Sequence, residues 1–170
     1  MKKVFQTVVD SGKGNCMQAA IASLLELDLE DVPNFIEFVG KGQWLKTMHG
    51  FLNEKGYDAI TVGKSKGQDT QWLKDLAKFD NGVNGYLYAS VPSRTFENGT
   101  HAVIVDTDLR VVHDPNPNQK CLDIKPDEVI SIMVMHDMVC GKTGKFFTKE
   151  EWDSISEEER SANVYRADSI

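Results

Sequence analysis

The pattern of apolar positions changes once along the chain, from stripes of helical period to short β-branched and aromatic runs set between turn residues, and that change suggests the architecture. From Asn15, the run NCMQAAIASLLEL sets Met17, Ala20, Ile21, Leu24 and Leu25 on one stripe of period 3.6, which predicts a helix capped by Asn15. Trp44, Leu45, Met48, Phe51 and Leu52 predict a second helix over 43–55 that stops at Gly56, and Trp72, Leu73, Leu76 and Phe79 face inward on a third over 70–79. Lys3 to Val9 and Tyr57 to Val62 read as short strands, and Asp28 to Pro33 as a capped turn.

Beyond Gly85 the segments Tyr86–Val91, His101–Asp106, Arg110–Asp114 and Val129–His136 are β-branched or aromatic and are separated by turn residues, which predicts an antiparallel sheet. The expected fold class is therefore α+β, N-terminal helices packed on a C-terminal antiparallel sheet. Thr148-Lys149-Glu150-Glu151 opens a polar helix ending near Ser161, with little apolar face beyond Trp152 and Ile155. One core domain over 1–140 and a polar C-terminal extension over 141–170 are expected.

Composition narrows the class. At 170 residues, 41% hydrophobic and 26% charged, the chain suits one globular domain, with disorder expected only at the C-terminal end. Its 19 basic and 26 acidic residues give −7, and the basic ones are scattered, so nucleic acid is excluded as a partner. Met1 to Val9 lacks the apolar run of an export signal and no window is long enough to span a bilayer, so no membrane partner and a cytoplasmic location are expected. Three widely spaced cysteines, Cys16, Cys121 and Cys140, argue against a disulfide framework.

Cys16 falls in the first turn of the first predicted helix, where the helix dipole and unpaired N–H groups favour a thiolate. His101 opens one predicted strand and Asp114 closes the next. A two-residue turn at Thr107 and Asp108 would set 105 opposite 110, 103 opposite 112 and 101 opposite 114, leaving the carboxylate within reach of the imidazole. A three-residue turn would put His113 or Pro115 there instead.

An acyl-transfer site also needs donors for the developing oxyanion. The Cys16 N–H supplies one, and Gln6 is the first choice for a side-chain amide, with Asn15 and Gln18 nearer in sequence. Gly14, Asn15, Trp44 (flanked by Gly40 and Gly42) and Gly99 are the candidate substrate contacts. Gly141-Lys142-Thr143 lacks the glycine a phosphate loop needs five positions earlier, and the cysteines and histidines lack the short paired spacings of zinc sites, so no cofactor or metal is expected.

The segments GNCMQAAIASLLEL and GTHAVIVDTDLRVVHDPNPN resemble the papain-like cysteine peptidase superfamily, in particular its bacteriocin-leader peptidase-like branch, in which Cys, His and Asp follow in that order. The resemblance covers roughly half the chain and implies a papain-like fold with the nucleophile at a helix start. Members of that branch carry the oxyanion glutamine six residues before the cysteine. Asp10 stands there in this chain and Gln6 lies further upstream, as an insertion in the Ser11–Gly14 loop would produce. CMQAAIASLLELDLEDVPNF also resembles small uncharacterised bacteriophage proteins.

Together these readings predict a cysteine hydrolase that cleaves an amide, peptide or isopeptide bond in a peptide, protein or small amide substrate. The alternatives are an acyltransferase of transglutaminase type using the same three residues, or a non-catalytic papain-like binding protein such as a phage factor directed at the host.

Overall fold

The computed structural model describes residues 1–37, 43–65, 68–141 and 145–163. Along the chain run α1 (Cys16–Leu24), a 3-10 turn (Leu29–Asp31), α2 (Trp44–Glu54), β1 (Asp58–Gly63), α3 (Gln71–Phe79), β2 (Tyr86–Pro92), β3 (Thr100–Asp106), β4 (Val111–His113), β5 (Ser131–His136), β6 (Met138–Cys140), β7 (Phe146–Thr148), α4 (Lys149–Ser154) and α5 (Glu157–Asn163). The fold is mixed α+β. Its main sheet is antiparallel in the order β1-β5-β2-β3-β4, and β6 and β7 form a second, two-stranded sheet.

Strand alternation sorts the sheet's side chains into two apolar layers. Tyr88, Ala102, Ile104, Met133 and Met135 meet α1 and α2, while Leu87, Ala89, Val103, Val105, Ile132 and Val134 meet Leu73 and Ala77 of α3. Helix α1 lies deep: Ala19, Ala20, Ile21 and Ala22 are fully buried, and the three alanines let its backbone settle closely on β2 and β3. That seating delivers Cys16, at the top of α1, to the open end of the sheet.

Several expectations need correction. Lys3–Val9 forms no strand. Its backbone is satisfied piecemeal instead: Val4 N–H by Ser23 Oγ (2.9 Å), Gln6 N–H by Pro115 O (2.9 Å), and Thr7 and Val8 N–H by Asn15 Oδ1 (3.1 and 2.9 Å). Asn15 holds the N-cap position of α1, but with its side chain spent on that segment it gives the helix no side-chain cap. Phe79 points outward, 91% exposed, because it lies six residues beyond Leu73 and so well round the helix from the buried Leu73–Ala77 row.

Residues on either side of the expected 140/141 boundary pair with each other as β6 and β7. Trp152 of α4 is fully buried against Phe147 and Val139. Thr148 and Glu151 exchange the side-chain and backbone bonds of a capping box at the start of α4, as expected, but the polar helix is two short helices, α4 and α5. Gly40, Gly42 and the C-terminal residues 164–170 lie outside the described residues.

Candidate active site

The hairpin that carries His101 and Asp114 differs from the two-residue form. Its turn holds three residues, Thr107, Asp108 and Leu109, closed by Asp106 N–H to Arg110 O (3.0 Å) and Leu109 N–H to Asp106 O (2.9 Å). Asp106 Oδ1 also accepts the N–H groups of Asp108 and Arg110, both at 2.9 Å. Leu109 adopts a left-handed backbone (φ +62°), a conformation costing a leucine about 1–2 kcal/mol, while its side chain is fully buried. A bulge follows: Val105 pairs with Val111 but Ile104 with His113.

Two shifts of register therefore remove Asp114 from the position opposite His101, and β4 ends one residue before it. The contact forms by another route. The chain bends at Asp114-Pro115-Asn116 and brings Asp114 Oδ1 to 2.6 Å from His101 Nε2. Bulges commonly re-aim side chains in this way at the ends of sheets.

Asp114 is 1% exposed, and both of its oxygens are hydrogen-bonded. Oδ1 also accepts Asn116 N–H and Oδ2 accepts Cys121 N–H, both at 2.8 Å. Burial alone would push its carboxyl up, but the His101 bond and the two amide bonds outweigh it and hold the group below the usual carboxylate value. His101, nearly buried, would be pushed down by burial. Its bonds to Asp114 and Cys16 reverse that and raise it from 6.5 to about 9.

Cys16 is half-buried at the first position of α1. Burial would raise its thiol, but the His101 side-chain hydrogen bond, the charge on that imidazole and the N–H groups of Ala102 and Met17 together bring it below its usual value. Because Nε2 of His101 is held by Asp114, Nδ1 is the nitrogen left for the sulfur. The arrangement sets a lowered thiol beside a raised imidazole that a carboxylate braces.

A cleft of about 270 Å³ opens over these groups. Cys16, His101, Gln6 and Asn116 line it together with the Val9–Gly14 loop, Ile36 and the segment from Ser93 to Thr100. The predicted residues Gly14 and Gly99 are thus at the cleft. A Cβ on Gly14 would come within 2.6 Å of Asp10 O, so the approach to Cys16 requires glycine there.

Gln6 also borders the cleft and is 6% exposed. Its Nε2 donates to Val8 O at 2.9 Å, and its buried Oε1 has no hydrogen-bond partner. Trp44 packs against the layer under α1 and is not among the residues lining the cleft. Asn15 is likewise outside that lining, and Gln18 donates to Leu29 O (2.9 Å) and Val32 O (2.6 Å), so the two nearer amides serve the fold.

His101, Asp114 and Cys121 each bring one donor atom within 4.8 Å of the others. Asp114 spends its oxygens on the imidazole and two amides, and burial pushes the Cys121 thiol up. That donor set is a hydrogen-bonded carboxylate beside a neutral thiol.

Sequence reasoning missed Asn116, which lines the cleft. The legible signal was Asp-Pro-Asn-Pro-Asn, where each Asx residue can fold its side chain back onto the backbone N–H two residues on. No protein-family model matches the chain, and comparison with the curated proteins and with the solved structures gave no match either.

Proposed function

We propose that the protein is a papain-like cysteine hydrolase acting on an amide or peptide bond, with Cys16 as nucleophile, His101 as general base and acid, and Asp114 as the group that orients the imidazole. The observation that carries this reading is the convergence of the three side chains at one cleft: a helix-start sulfur and His101 line it together, and His101 lies 2.6 Å from a buried carboxylate.

In the proposed reaction the thiolate sulfur bonds to the substrate carbonyl carbon, and the carbonyl π electrons move to oxygen. The Cys16 N–H, unpaired within the helix, is one donor to that oxyanion and the second N–H of the Gln6 amide is the other. As the intermediate collapses, the C–N bond breaks and the imidazolium proton passes to the departing amine. A water then gives its proton to His101 and attacks the thioester. The C–S bond breaks, a carboxylic acid leaves and the thiolate returns. An amine in place of that water would make the protein an acyltransferase.

Electrophilic peptide probes, followed by mass spectrometry of the adduct, test the reading. Modification confined to Cys16, and lost in Cys16→Ala with the fold retained, supports it. A Cys16 that reacts no faster than glutathione at neutral pH overturns it and leaves the chain a binding protein.

A further inference from the structure

Two side-chain turns follow one another immediately after the carboxylate. Asp114 Oδ1, the oxygen that holds His101, also accepts Asn116 N–H at 2.8 Å, and Asn116 Oδ1 accepts Asn118 N–H at 3.0 Å. Asn116 is 4% exposed yet borders the cleft, and its Nδ2 donates to Thr95 Oγ1 at 3.4 Å. Its side chain therefore joins the two segments that deliver the imidazole and the carboxylate.

One of these segments is the β2–β3 connection. Thr95 and Phe96 N–H donate to Ser93 Oγ (3.1 and 3.0 Å) and Ser93 N–H to Gly99 O (2.9 Å), closing the loop two residues before His101. The other is Asp114-Pro115-Asn116, pinned from below by Gln6 N–H on Pro115 O at 2.9 Å. No strand pairing fixes Asp114 relative to His101, because β4 ends at His113. The Thr95–Asn116 bridge supplies a cross-link where the sheet does not.

We propose that Asn116 is a positioning residue: through Thr95 on one side and Asp114 on the other it sets the spacing and aim of the carboxylate toward His101. This rests on the hydrolase reading above. Asn116 acts through Asp114, and the titratable groups it influences are Asp114, His101 and Cys16, with Cys121 on the carboxylate's other oxygen.

The test is the rate of Cys16 alkylation by iodoacetamide as a function of pH, read by mass spectrometry on the full chain. Asn116→Ala removes both side-chain bonds. Thr95→Val, on an exposed residue, removes only the acceptor on the loop and is expected to leave the chain folded. Both variants are expected to move the rise in rate to higher pH, lowering the rate near pH 6 about tenfold for Asn116→Ala, a displacement of one pH unit, and less for Thr95→Val. All three proteins should converge above about pH 10, where any thiol is ionised. A role confined to folding would not produce that convergence. Wild-type profiles in both variants would overturn the inference, whereas a wild-type protein that itself titrates like a free thiol would overturn the hydrolase reading instead.

Discussion

His101 Nε2 meets Asp114 Oδ1 at 2.6 Å although the two residues do not face each other across the β3–β4 hairpin. The contact depends on a bend in the chain beyond the last paired residue. Groups that stabilise the bend therefore matter to this contact as much as the sheet does.

The first consequence concerns Cys16. Its thiol is held below the ordinary value and His101 is raised to about 9, so thiolate and imidazolium coexist between those two points. Alkylation by iodoacetamide is expected to stay fast as pH falls from about 9, and to decline only when the thiolate is protonated. Stopped-flow rates across that range check it; a single rise centred near 9 would refute the ion pair.

Asp114→Asn is expected to uncouple the site. The imidazole loses its carboxylate, its raised value falls back toward 6.5, and the Cys16 thiol rises in turn. By analogy with triads in general, turnover should drop on the order of 10³–10⁴. Turnover of a fluorogenic amide substrate measures this. A loss under about tenfold would remove Asp114 from the machinery.

Stability should follow the same groups. Asp114 is lowered, so its contribution is present above the usual carboxylate value of 3.8 and is lost as pH falls through the folded value. His101 is raised, so its contribution is full below 6.5 and fades as pH climbs through about 9. Urea midpoints should therefore fall on both sides of a plateau between roughly pH 4 and 6.5. In Asp114→Asn both limbs should flatten, and limbs as steep as wild type would contradict the assignment.

The N-terminal segment can be probed at Asn15. Replacing it with alanine leaves the N–H groups of Thr7 and Val8 without their acceptor, at a cost of about 1–3 kcal/mol in urea unfolding. Because Gln6 lies on that segment, turnover should fall as well. Full stability in Asn15→Ala would show that water replaces the amide.

Gly14→Ala places a methyl 2.6 Å from Asp10 O, a backbone oxygen of the loop that turns directly into α1. Overpacking of this kind costs about 1–3 kcal/mol. The displaced loop should also slow Cys16 alkylation. Differential scanning calorimetry and alkylation kinetics would expose a variant that accommodates the methyl freely.

Local physics made much of this protein legible in its sequence. Helical spacing marked α1, α2 and α3, β-branched and aromatic runs between turn residues marked β2 to β5 of the main sheet, and the position of Cys16 at a helix start followed from Gly14-Asn15-Cys16 ahead of an apolar stripe. His101 and Asp114 were visible as a pair because one opens and the other closes neighbouring strand-like segments of the sequence. These signals arise within ten or so residues, where backbone sterics and hydrophobic period act.

Only the tertiary structure decided how the pair meets. Leu109 takes a left-handed turn as its side chain enters the core, Val112 bulges, and Asp114 is held by amides of Asn116 and Cys121 beyond the strand. The same holds for Lys3–Val9, whose strand-like pattern found side chains of Ser23 and Asn15 in place of a neighbouring strand. Hydrogen-bond partners distant in sequence are chosen by the packing of the whole chain, and no local period encodes them.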